Sequence, residues 1–144
     1  MKMSEFGKAT MRLSVRFHLV FPEYSIPVQI LLDLRELAQE ASLNIVAGSH
    51  GILQNSVSEA VFRELGISKP EPPHGTAIVP LLRADGTAEI LSTKATASRW
   101  EPNLKTAELD PKIPTVNCGG EHIRLAAPSC SDAIDVNRYP SDNI

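Results

Sequence analysis

Glu23, Lys94 and Cys130 each stand where an apolar run of the chain stops, and their chemistries are complementary. A free cysteine thiol has a pKa of about 8.5, so only a few per cent is thiolate at neutral pH. A nearby carboxylate accepts its proton during attack. A nearby ammonium favours the thiolate and holds an oxyanion. Thiol, base and fixed cation together suit acyl transfer on a carbon bound to nitrogen. Each residue alone has a plainer reading. Cys130 would serve as a small core hydrophobe, Lys94 as a solvated charge after a hairpin, and Glu23 as a carboxylate favoured by the dipole of the following helix. Position is what singles out the three together, because ligand sites in open α/β sheets form outside the carboxyl ends of the strands.

The elements that must position them follow from periodicity. Leu13–Phe21 reads as a buried strand, ended by Pro22, which cannot donate to a ladder. His18 within it reads as a core or rim residue. Pro27 opens a helix over about Val28–Ser42, with Ile30, Leu31, Leu34, Leu37, Ala38 and Ala41 at helical spacing. Asn44–Ala47 is a second strand, so the strand–helix–strand unit predicts parallel pairing through a right-handed crossover. Gly48-Ser49-His50-Gly51 reads as a turn leaving the sheet. Ser56-Val57-Ser58-Glu59 fits a capping box for a short helix closed by Gly66. Ser68–His74 is a proline-rich loop.

Thr76–Leu82 is the next strand, with Pro80 marking an edge or a bulge. Arg83-Ala84-Asp85-Gly86 carries the Asp-Gly hairpin signal, and Thr87–Ser92 returns directly to Lys94. Trp100-Glu101 and a polar connection lead to a second hairpin, Thr115–Cys118 with His122–Ser129, which delivers Cys130.

With 144 residues the chain is one domain, expected over residues 13–132 with polar tails at 1–12 and 133–144. The net charge of −3 comes with scattered basic residues, so no nucleic-acid surface is indicated. No apolar run approaches a membrane span. MKMSEFGKATMR lacks the apolar core of a signal peptide, which points to the cytoplasm. The two cysteines, Cys118 and Cys130, lack zinc-type spacing and are expected as reduced thiols. A disulfide between them across the hairpin is the other reading. His50, His74 and His122 show no metal-site spacing.

LVFPEYSIP, a helix and LNIVAGSH, then GTAIVPLLRADGTAEILSTK followed by Glu101, then IRLAAPSCSD, together resemble the nitrilase (carbon–nitrogen hydrolase) superfamily in type and order. The resemblance covers roughly Leu13–Asp132. It implies an α/β fold, an αββα sandwich of nitrilase type that is incomplete, about the first half of the family fold. It implies a hydrolase of a small amide or nitrile working through a thioester. Glu23 would be the base, Cys130 the nucleophile and Lys94 the oxyanion cation. Ser131 would donate its backbone N–H, and Glu101 would orient Lys94. No cofactor or metal is implied. The family's habit of packing sheets across a dimer interface implies a homo-oligomer. Pro128 and Ser129 depart from the more apolar residues usual before the nucleophile. The missing second half also leaves room for a catalytically inactive interaction module.

Overall fold

The computed structural model describes residues 18–50, 56–67, 76–94, 112–118 and 121–127. Glu101, Cys130 and Ser131 lie outside these, as do the expected tails and the loop at Ser68–His74.

The described chain is a mixed α/β fold. A four-stranded sheet runs in the order β1 (His18–Ile26), β2 (Asn44–His50), β3 (Ala77–Leu82), β4 (Ala88–Thr93). β1 and β2 are parallel, and the other neighbours are antiparallel. A 3-10 turn at Val28–Ile30 and helix α1 (Leu31–Glu40) form the crossover between β1 and β2, as the spacing predicts. Pro27 sits at φ −59° just before that turn, where its missing N–H is of no consequence. α1 ends when Ser42 takes a left-handed φ of 53° and Leu43 N–H donates back to the Ala38 carbonyl at 3.0 Å. Helix α2 (Ser56–Glu64) closes the same way, with Gly66 at φ 74° and Ile67 N–H on the Phe62 carbonyl at 3.0 Å. Arg35 of α1 donates to the Glu64 carbonyl at 2.8 Å, a cation on the C-terminal end of α2.

Alternation along the strands divides the core in two. Ile45, Ala47, Ile78, Leu82 and Ile90 share one cluster with the helix residues Leu31, Ala38, Phe62 and Leu65. Val46, Val79, Leu81 and Leu91 point to the other face. There they meet Val116, Leu125 and Ala127, from and beyond a separate two-stranded sheet, β5 (Thr115–Cys118) with β6 (Glu121–Arg124). Lys112 N–H on the Leu91 carbonyl at 2.7 Å and Ser92 Oγ on the Ala127 carbonyl at 2.5 Å tie that layer to β4. The β3–β4 turn is held as expected. Arg83 N–H donates to the Thr87 carbonyl, and the Asp85 carboxylate accepts from the Thr87 N–H and hydroxyl. The Thr87 hydroxyl is the main cause holding the Asp85 carboxyl below its ordinary value.

Four expectations are corrected. The first strand does not stop at Pro22; it continues to Ile26. β1 has one neighbour among the described strands, so its register can slip between Phe21 and Ile26, and a proline is tolerated there. Nor is β1 buried: Val20 is 68 % exposed, and Ile26 is its only residue in the core. Gly48–His50 is not a turn but the second half of β2, paired through Ser49 with Ile78 and His50 with Ala77. β6 stops at Arg124; Leu125 N–H still donates to the Pro114 carbonyl at 3.0 Å, and beyond it the chain runs on with Leu125 and Ala127 packed on the sheet. Pro80 does mark a register shift, between Val79 and Pro80, although β3 lies inside the sheet.

Candidate active site

The site begins with the slip in β1. Phe21 pairs with Ala47 and Ile26 with Ser49, so four residues, Pro22 to Ser25, face the single position Gly48. The surplus chain bulges out of register and folds over β2. Tyr24 takes φ 59°, left-handed and uncommon for an aromatic residue. Two hydrogen bonds fix the bulge: Ser25 Oγ donates to the Pro22 carbonyl at 2.6 Å, and buried Ser49 Oγ donates to the Ile26 carbonyl at 2.7 Å. Gly48 is what lets the bulge lie so close. A Cβ there would sit 2.1 Å from the Pro22 oxygen and 2.6 Å from Glu23 Cα.

Lys94 reaches the same place from the far edge of the sheet. It follows β4 directly, and its backbone is pinned on both sides. Its N–H donates to the Ala77 carbonyl at 3.0 Å, and its carbonyl accepts from Thr76 Oγ1 at 3.2 Å. Its ammonium lies 2.9 Å from Glu23 Oε1, with side-chain exposures of 3 % for the lysine and 14 % for the glutamate. The same ammonium stands 5.6 Å from the centre of the Tyr24 ring, within cation–π range. Successive residues of the bulge therefore supply a carboxylate and an aromatic face to one buried cation.

Glu23 also borders a cleft of about 620 Å³ on the face of the sheet away from the helices. Val20, Phe21, Val46, Val79, Leu125 and Ala127 form much of its wall. A second, smaller hollow of about 180 Å³ lies by the β3–β4 turn, between Asn44, Arg83, Asp85 and Asn117. Among the described residues no group of three or more His, Cys, Asp and Glu is placed to hold a metal ion. Among the same residues no helix is long and apolar enough to cross a membrane.

No family model, curated protein or solved structure matches the chain.

Of the five residues expected at the site, Glu23 and Lys94 come together, while Glu101, Cys130 and Ser131 fall outside the described residues. His50 ends β2 rather than standing in a loop. Two contributors were missed, Tyr24 and Gly48. Gly48 carried a signal, since a glycine directly after a β-branched run can continue the strand and mark a close approach of another backbone. Tyr24 carried none, because its role depends on a lysine delivered by a distant strand.

Proposed function

We propose that the chain is a thiol-dependent hydrolase of a carbon–nitrogen bond in a small amide or nitrile. The observation that carries this reading is the 2.9 Å contact of Glu23 with buried Lys94 at the edge of an apolar cleft. Removing a charge pair from water is costly, and an apolar pair in its place is often as stable. A carboxylate–ammonium pair held beside a cleft is therefore better explained by chemistry than by stability.

Cys130 is the proposed nucleophile. It follows the cleft residue Ala127 by three positions in the sequence. In the proposed reaction the Glu23 carboxylate takes the thiol proton and the thiolate attacks the carbonyl or nitrile carbon. For an amide, the Lys94 ammonium and the Ser131 N–H hold the oxyanion, and Glu101 orients Lys94. The carbon–nitrogen bond breaks as Glu23 returns the proton to the departing amine, leaving a Cys130 thioester. Water, deprotonated by Glu23, hydrolyses the thioester and restores the thiol. No metal or organic cofactor enters this scheme.

The finer architecture belongs to the same reading. In this reading the helices on one face of the four-stranded sheet and the two-stranded sheet on the other are three of the four layers of an αββα sandwich. We propose that a second copy completes it and that the protein works in the cytoplasm, where both thiols stay reduced. The exposed β1, with Val20 at 68 %, favours one other reading, an inactive module that binds a partner along that strand.

Turnover of a panel of small amides and nitriles tests the choice. Cys130→Ala is expected to lower hydrolysis at least about a thousandfold while the melting curve stays cooperative. Activity that survives this substitution would remove the thiol mechanism. Inactivity of the wild-type chain on every member of the panel would favour the binding module.

A further inference from the structure

We infer that the cleft beside Glu23 selects substrates by an uncharged, apolar acyl portion and rejects those whose acyl portion ends in a carboxylate. The inference rests on the hydrolase reading for the identity of the reacting group, and on the cleft itself for selectivity. Val46 and Val79 come from neighbouring strands and point to one face of the sheet, forming the floor. Val20, beside Val46 in the register, adds to the wall from β1, and Leu125 and Ala127 add to it from beyond β6. Among the described lining residues Glu23 is the only ionisable side chain. Lys94, 3 % exposed, sits with Glu23 and the Tyr24 ring at the reacting end of the cleft, and in the hydrolase reading it serves the oxyanion there rather than the far end of the acyl portion.

Two consequences follow. A carboxylate on the far end of a substrate would lie against an apolar wall whose one charged group among the described residues is another carboxylate, and it would give up part of its water there. An alkyl or aryl group in the same place gains by burial, about fourfold in affinity for each methylene removed from water. The volume of about 620 Å³ falls within the range of small-molecule pockets. The fitting class is thus a neutral aliphatic or aromatic amide or nitrile of modest size. An ω-carboxylated amide is excluded.

Hexanamide and adipamate (the same six-carbon amide ending in a carboxylate) are a matched pair of probes. Their binding to the full chain carrying Cys130→Ala is followed by NMR titration, so that turnover does not interfere. Hexanamide is expected to bind at least tenfold more tightly than adipamate. Val20→Arg puts a cation on the cleft wall at a position 68 % exposed, where the fold tolerates it. This variant, also in the Cys130→Ala background, is expected to narrow the ratio at least threefold by strengthening adipamate binding. Equal binding of the two probes, no binding of hexanamide, or a ratio indifferent to Val20→Arg would overturn the inference. Turnover of hexanamide by the unsubstituted chain is read separately. If hexanamide binds with the expected preference but is not hydrolysed, the selectivity of the cleft stands and the hydrolase reading falls.

Discussion

Lys94→Met is expected to destabilise the fold by about 3 kcal/mol, at the lower end of the range for breaking a buried ion pair. The substitution leaves the aliphatic stem in place and removes the ammonium. Glu23 then stays among apolar groups with its nearest cation gone and a side-chain exposure of only 14 %. That remaining exposure is why the lower end applies, since water reaches the carboxylate in part. The cation–π contact with Tyr24 goes as well and adds a smaller loss, about 0.5–1 kcal/mol. Combining Lys94→Met with Glu23→Gln is expected to restore part of the stability, because Glu23 is then no longer a buried carboxylate deprived of Lys94. Urea unfolding checks both variants through the midpoint at constant slope. A single variant as stable as wild type would mean that water already solvates the pair.

Gly48→Ala is expected to be comparably damaging, for a different reason. Its new methyl would lie 2.1 Å from the Pro22 oxygen, 2.4 Å from the Pro22 carbonyl carbon and 2.6 Å from Glu23 Cα. All three are backbone atoms, so no rotamer change relieves the clash. Either β2 shifts, at the expense of its ladders to β1 and β3, or the bulge lifts away. Overpacking of this kind costs about 1–3 kcal/mol and occasionally more. Lifting the bulge would also carry Glu23 away from Lys94, so the variant is expected to lose any activity before it loses its fold. A melting curve together with turnover at a temperature where the variant is folded separates the two effects. Wild-type stability in both would contradict the close approach at Gly48.

Much of this architecture is legible in the residue order, and the failures have local causes. The β1–α1–β2 unit could be read because its apolar spacing changes from strand-like to helical at Pro27 and back at Asn44. The β3–β4 turn could be read because Asp85-Gly86 supplies the side chain and the backbone freedom such a turn needs. Pro22 misled because the rule that proline ends a strand assumes neighbours on both sides, and β1 has one among the described strands. Gly48-Ser49 misled because its composition suits a turn, whereas the glycine serves the approach of a separate segment. Leu125-Ala126-Ala127 read as strand from its apolar character, yet after the Leu125 N–H bond to Pro114 that character serves the cleft wall and the core. At the site, the residue types of Glu23 and Lys94 could be read. That they would share one rim was expected from their places at strand ends, but the way Glu23 reaches Lys94 was not legible, because it depends on the four-residue slip of β1, which only the register against β2 reveals.

The central claim is that a thiol is activated beside the Glu23–Lys94 pair, and differential alkylation of the two cysteines tests it most directly. The unsubstituted, folded chain is treated with limiting iodoacetamide at neutral pH, and the labelled peptides are followed over time by mass spectrometry. Cys130 is expected to react several-fold faster than Cys118, and to lose that advantage in Lys94→Met. Equal and slow labelling of Cys118 and Cys130 in the folded protein would contradict the account.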